Sequence, residues 1–207
     1  LGMPDAPEYE IEDNLSFVKY NIGLQEAIKR AYENRPELKS IAYQKKAAEE
    51  SVWLAKTGYF PVLAGDASYS WAGKQFDRGY GWSAGLLVSV PVFNGFLTKS
   101  QVSEAKANVS ILTANEEGLR QNVLLEVQQA YQALVDLEEG IPIAELTVRQ
   151  AQENVDIATG RYNAGVGNPI EVTDANTGLA NAKVNLNQAL ANYKIARASL
   201  EKSMGVR

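Results

Sequence analysis

Two carboxylates, Glu171 and Asp174, are the side chains of this 207-residue chain whose types and spacing could support chemistry. They are three positions apart, so on a helix they project from the same face. Such a pair can act as acid and base in glycoside hydrolysis, but the glycine-bearing turn that precedes it offers no substrate cleft. Acids in the first turns of a helix are also common simply because the macrodipole stabilises them.

The composition excludes most other catalytic and binding chemistry. The chain contains no histidine and no cysteine, which removes thiol nucleophiles, disulfides, imidazole bases and the usual zinc sites. The formal net charge of the chain is -5 and its sequence contains no dominant basic block, so nucleic acid is not an expected partner. We therefore expect no catalytic residue, no metal site, no cofactor and no enzymatic activity.

The turn before the two acids, residues 162–169, has the composition of a helix reversal. Gly165 and Gly167 can adopt the positive φ angles that reverse a chain. Asn168 can cap a following helix, and Pro169 can open it.

Apolar residues at heptad spacing on both sides of this turn predict long antiparallel coiled-coil helices. The first is expected over 95–161, with a kink or slight unwinding where Gly140 and Pro142 interrupt the pattern. The second returns over 170–207, and its alternating small and large residues would let neighbouring helices interlock in a one-layer wall. An antiparallel coiled coil without a lumen has the same heptads and remains an alternative.

The first part of the chain changes from a helical period to a period of two. We expect a linker and a short helix over 1–34, a helix over 35–58 that Pro36 helps to start, and a β-hairpin over 59–94. Each strand is about ten residues long, which is the length that a tilted transmembrane strand needs. No apolar stretch is long enough for a transmembrane helix, so any crossing is expected to use the strands. An ordinary hairpin on a soluble core is the alternative.

The alternation gives each strand one apolar face and one small or polar face. The residues expected to contact lipid are Leu63, Tyr69, Trp71, Trp82, Leu86, Val88 and Val90. Those expected to face a water-filled lumen are Asp66, Ser68, Ser70, Ser83 and Ser89. Aromatic residues at both ends would mark the lipid–water boundaries, with Tyr69, Trp71, Tyr80 and Trp82 at one end and Tyr59, Phe60 and Phe93 at the other.

Four short segments, together with the order of the elements, resemble the TolC-like outer-membrane efflux proteins, the channel-tunnels of Gram-negative bacteria. The segments are Arg35-Pro36-Glu37-Leu38, Val88-Ser89-Val90-Pro91-Val92-Phe93-Asn94-Gly95, Arg161-Tyr162-Asn163-Ala164-Gly165 and Glu171-Val172-Thr173-Asp174-Ala175. Family members carry this unit twice, and the chain resembles the second copy. The resemblance therefore implies a mainly α half protomer with a two-stranded antiparallel β-hairpin and long antiparallel coiled-coil helices.

The resemblance also implies a location and a set of partners. We expect an outer-membrane protein with its helices in the periplasm. Its native protomers are expected to assemble as a trimer. It would serve as the passive export duct of a tripartite efflux or type I secretion system. The expected partners are a periplasmic adaptor (membrane fusion) protein, an inner-membrane pump and outer-membrane lipid. A coiled-coil structural or adaptor-like protein without a pore is the alternative function.

The same resemblance assigns roles at the turn. Glu171 and Asp174 match the acidic constriction that lines the periplasmic gate, where a ring of carboxylates would favour cations and could bind a divalent ion. The residues expected to pack the tip and receive the adaptor are Tyr162, Gly165, Val166 and Gly167. The pair Gly167 and Asn168 stands where some relatives carry an arginine and a polar neighbour, so a salt-bridged latch is not expected there.

Overall fold

The computed structural model describes residues 15–72 and 79–206 of the chain. In that part, four helices and two strands follow one another in the order helix, helix, strand, strand, helix, helix. This confirms a mainly helical fold with a two-stranded antiparallel hairpin. None of the helices formed by these residues has a stretch that is both long and apolar enough to cross a membrane. The elements are α1 (Leu24–Asn34), α2 (Pro36–Thr57), β1 (Val62–Ala72), β2 (Gly79–Ser89), α3 (Leu97–Asn163) and α4 (Pro169–Ser203).

The helix boundaries follow from local chemistry at prolines and glycines. Arg35 has an extended ψ of 121°, because a residue that precedes a proline is pushed out of helical geometry, and α2 then begins at Pro36. Gly140 and Pro142 do not end α3, which remains α-helical through both positions. Proline has no backbone N–H and so removes one hydrogen bond of the helix, but α3 continues for many turns on both sides of Pro142.

The strands pair in antiparallel register from Val62 opposite Ser89 to Ala72 opposite Gly79. β2 ends at Ser89, so the expectation that Val90 is part of the strand is wrong. Pro91 lacks the backbone N–H that a ladder needs, which explains why pairing stops before it.

The chain divides into two compact units, which are described separately: Leu1–Pro36 with Arg120–Arg207, and Glu37–Leu119. The core of the first unit is built mainly from one stripe on each helix. The predicted heptad positions of α4 are buried or partly buried, and Leu200 is completely enclosed. These positions are Ala175, Leu179, Ala182, Leu186, Ala189, Tyr193, Ala196 and Leu200. The large buried apolar side chains of this unit are Val123, Val127, Leu134, Ile141, Leu179, Tyr193, Leu200 and Met204.

A glycine and an arginine tie the helix ends of the first unit together. Gly205 has a φ of +71°, and its amide and the next one bond back to the end of α4 in a Schellman motif. A Cβ on Gly205 would lie 3.1 Å from the backbone nitrogen of Arg35, so the two backbones meet there. The Arg35 guanidinium donates from Nε to the Ser203 carbonyl at 2.8 Å and forms an ion pair with Glu126.

The segment before α1 packs on α4 through Tyr193. The Tyr193 hydroxyl accepts a hydrogen bond from the Tyr20 amide at 2.9 Å and donates one to the Val18 carbonyl at 3.1 Å. The ring of Phe17 meets the Tyr193 ring edge-on, with centroids 5.1 Å apart. Residues 17–20 of the predicted linker thus pack on α4, while residues 1–14 lie outside the described part.

Candidate functional site

The turn between α3 and α4 is closed by two backbone hydrogen bonds. The amide of Gly165 donates to the Tyr162 carbonyl and that of Val166 donates to the Arg161 carbonyl, each at 3.0 Å. This is the Schellman motif, which requires a left-handed residue after the helix, and Gly165 supplies it with a φ of +74°. The prediction that Gly165 reverses the chain is confirmed.

Gly167 has a different role from the one expected, because its φ is not positive. A Cβ at this position would lie 2.7 Å from the Tyr162 nitrogen and 2.9 Å from the Arg161 carbonyl carbon. These are backbone atoms at the end of α3, which cannot move aside without opening the turn. Gly167 is therefore needed because the turn folds back closely on α3, whereas the space beside Gly165 is open.

The start of α4 is fixed by Asn168 and Pro169, as the sequence predicts. The Asn168 side-chain oxygen accepts a hydrogen bond from the Ile170 amide at 3.0 Å, and Pro169 occupies the first helical position. The Glu171 amide donates to the Asn168 carbonyl at 3.0 Å. The cap thereby places both carboxylates in the first two turns of α4.

Glu171 and Asp174 are both exposed, but their electrostatic surroundings differ. Arg161, at the end of α3, places a guanidinium nitrogen 3.8 Å from a Glu171 carboxylate oxygen. The two side chains are 55% and 46% exposed, so the pair contributes less than about 1 kcal/mol to stability. Its main effect is to offset the charge of Glu171, which leaves Asp174 as the less compensated acid of the two.

This ion pair was not anticipated from the sequence. The available signal was an arginine at the end of one helix and a glutamate in the first turn of the next, across a short turn. Within the described part of the chain, no three His, Cys, Asp or Glu side chains form a group that could hold a metal ion.

The turn exposes an apolar surface beside the acids. Tyr162 is 49% exposed and Val166 is 70% exposed, so the structure brings the predicted tip residues together on one turn without burying them. Ile170, which the sequence reasoning omitted, is 64% exposed next to them. The signal for Ile170 in the sequence was its position. It is an apolar residue in the first turn of α4, before the predicted heptad pattern of that helix begins.

The strand register sorts the hairpin side chains into two faces. Leu63 lies opposite Val88 and Tyr69 lies opposite Trp82, with Leu86 between these two pairs on the same face. All five side chains are more than half exposed. This face unites every described residue that was predicted to contact lipid except Val90, which follows the strand, and Trp71, whose side chain lies outside the described residues.

The opposite face carries the residues predicted to line a lumen. Ser68 and Ser83 are cross-strand partners whose hydroxyl oxygens lie 2.9 Å apart. The Asp66 carboxylate lies over Gly85, where a Cβ would come within 2.9 Å of one of its oxygens. The face is not wholly polar, because Leu87 also projects from it. The connecting loop with Lys74, Asp77 and Arg78 lies outside the described residues.

Comparison with known proteins gives a consistent set of relatives. A family model described as "Outer membrane efflux protein" matches residues 27–206. The outer membrane efflux protein BepC of Brucella suis is 28% identical over 181 residues, which are 86% of this chain and 40% of that protein. The outer membrane protein TolC of Escherichia coli is 27% identical over 193 residues, 86% of this chain and 39% of that protein. The chain thus spans about 40% of the length of these curated relatives.

Solved structures show the same fold at lower identity. The CmeC outer membrane channel of Campylobacter jejuni superposes with a TM-score of 0.77 at 18% identity, covering 100% of this chain and 49% of that one. The MtrE outer membrane channel of Neisseria gonorrhoeae, solved in its open state, gives a TM-score of 0.76 at 20% identity, with 92% and 43% covered.

Proposed function

The chain belongs to the outer membrane efflux protein family, and we propose that it forms part of a passive export duct in a Gram-negative outer membrane. In this proposal several copies of the hairpin contribute to a pore, and the helices extend the duct into the periplasm. Solutes pass without covalent chemistry, so the duct needs no catalytic residue and no cofactor. The native protomer assembles as a trimer.

The observation that carries this proposal is the sorting of the hairpin into an apolar and a polar face. Each strand has 11 residues, a length of about 36 Å, which at the tilt of barrel strands matches the apolar band of an outer-membrane protein. In water an exposed face of Leu63, Leu86, Trp82 and Val88 would be unfavourable, whereas contact with lipid removes that cost. A coiled-coil structural protein gives this face no role.

The acids at the turn give the duct a selective entrance. Copies of Glu171 and Asp174 arranged around one axis form a ring of carboxylates, which attracts cations and disfavours anions. Since Arg161 lies close to Glu171, Asp174 contributes more of the field. The 3.8 Å contact is long and exposed, so the pair can separate at little cost when the turn moves.

The apolar surface beside the acids suits a protein partner. Tyr162, Val166 and Ile170 are exposed on one short segment, and the open space beside Gly165 permits close approach of another backbone. We assign this surface to a periplasmic adaptor protein, through which an inner-membrane pump delivers its substrate. Gly167 supports the surface from within rather than by contact.

Arginine substitution at two adjacent positions tests the membrane assignment. Leu86 and Leu87 are neighbours that project from opposite faces of β2, so they form a matched pair. In the whole protein, Leu86→Arg should cost about 2–4 kcal/mol of insertion free energy near the bilayer centre, whereas Leu87→Arg should be tolerated. The measurement is the amount of folded protein recovered from the outer membrane. Equal recovery of the two variants would overturn the assignment of faces.

A further inference from the structure

A groove of about 200 Å³ lies in the second unit, where the open end of the hairpin meets the start of α3. Its walls are mainly apolar, and its rim carries a lysine. The principal lining residues are Tyr59, Pro91, Val92, Phe93, Phe96 and Lys99.

The groove is built by specific contacts. Thr98 is 2% exposed and packs against Gly58, where a Cβ would lie 3.0 Å from the threonine methyl group. Asn94 donates a hydrogen bond from its side-chain amide to the Thr98 hydroxyl. Thr98 thereby holds Asn94, in the segment after the hairpin, close to Gly58 after α2, and both of these residues line the groove.

Phe96 has a φ of +65°, a conformation that a bulky side chain adopts at a cost. The result is that its ring meets Phe93 edge-on, with centroids 5.5 Å apart and planes at 87°. The Lys99 ammonium then lies 5.8 Å from the centroid of the Phe96 ring. The backbone strain is thus associated with an aromatic wall beside a cation.

The charge of the groove favours an anionic group. Among the described lining residues Lys99 is the charged one, and none carries a carboxylate, in a chain whose net charge is -5. The first turn of α3 also contains no acidic residue. An anion that enters the rim would meet the Lys99 ammonium without a competing carboxylate from this groove.

The size and position of the groove indicate what carries that anion. It is smaller than the roughly 300–1,000 Å³ of sites that enclose a drug-sized ligand, so its occupant is covered only in part. Val92 and Phe93 are 92% and 75% exposed at its edge. Val88, which lies with its partner Leu63 at the end of the apolar hairpin face, is only four positions before Val92 in the chain. A ligand with a charged head and a long apolar remainder fits both features.

We propose that this groove binds a phospholipid, with the phosphate at Lys99 and the start of an acyl chain against Val92, Phe93 and Phe96. The inference rests on the proposed function, because it places the open end of the hairpin at a lipid–water boundary. One lysine near a lipid surface contributes about 1 kcal/mol, which corresponds to about a fivefold change in binding.

Native mass spectrometry of the whole protein, released from vesicles of phosphatidylglycerol and phosphatidylcholine, tests the site. Wild-type protein should retain phosphatidylglycerol about fivefold better than Lys99→Gln, and Lys99→Arg should behave like wild type. Lys106→Gln, which removes an exposed lysine two turns further along α3, is the matched control and should also behave like wild type.

Equal retention by wild type and Lys99→Gln would overturn the lipid site. Displacement of phosphatidylglycerol by millimolar inorganic phosphate would also overturn it, because the groove would then be an anion site rather than a lipid site. Insertion is scored separately by flotation with the vesicles. Protein that floats but shows no effect of Lys99→Gln refutes only this inference, whereas protein that does not float refutes the proposed function as well.

Discussion

Replacing Gly167 by alanine should open the turn between α3 and α4. The added Cβ would lie 2.7 Å and 2.9 Å from backbone atoms of Tyr162 and Arg161, far inside van der Waals contact. Backbone at a helix end cannot rotate away as a flexible side chain can, so the substitution should cost about 1–3 kcal/mol, as overpacking does. Amide hydrogen exchange in the turn should then accelerate about 5- to 150-fold.

Two further glycines make this prediction specific. Gly160 lies within α3 with no atom near its would-be Cβ, so Gly160→Ala should stabilise the helix by about 0.5–1 kcal/mol and slow exchange. Gly165→Ala also meets open space, but its φ of +74° should cost about 1–2 kcal/mol. The assay is exchange followed by mass spectrometry of peptides that cover residues 160–172. Wild-type exchange rates in Gly167→Ala would refute the conclusion that the turn depends on this close approach.

Three other substitutions test contacts that hold or present the first unit. Arg35→Ala should lower the free energy of unfolding by about 1–3 kcal/mol, because it removes a hydrogen bond and an ion pair of a side chain that is only 12% exposed. The control is Arg30→Ala, which breaks an exposed ion pair and should leave the midpoint of thermal unfolding unchanged. Tyr193→Phe should cost about 1 kcal/mol and accelerate exchange in the segment before α1, with the exposed Tyr43→Phe as control. Val166→Asp should reduce crosslinking to the adaptor without altering exchange in the turn, and unchanged crosslinking would argue against docking at this surface.

The sequence predicted the elements because their signals are local. Pro36 and Pro169 start helices and Gly165 reverses the chain through backbone geometry that each residue carries with it. Alternation likewise determined which strand residues share a face, and the register of β1 with β2 agrees with it. The end of β2 was misplaced because the apolar alternation continues through Val90 and Val92, although pairing does not.

The contacts that position the turn and the helix ends depend on residues far apart in the chain. The Tyr193 hydroxyl bonds to backbone 175 positions away, and Arg35 reaches a carbonyl 168 positions away. Heptad spacing shows that these side chains face a neighbouring element but not which atoms they meet. The same holds for Gly167, which the family resemblance assigned to the docking surface: its close packing against the end of α3 became evident only from the fold.

Single-channel conductance of the whole protein in planar lipid bilayers tests directly whether the protein is a cation-selective duct. We expect discrete cation-selective channels that divalent cations block, with selectivity and block lost when Glu171→Gln and Asp174→Asn are combined. Of the single variants, Asp174→Asn should have the larger effect, because Arg161 already offsets the charge of Glu171. Absence of channels from protein that remains in the aqueous phase, or unchanged selectivity in the double variant, would contradict this expectation.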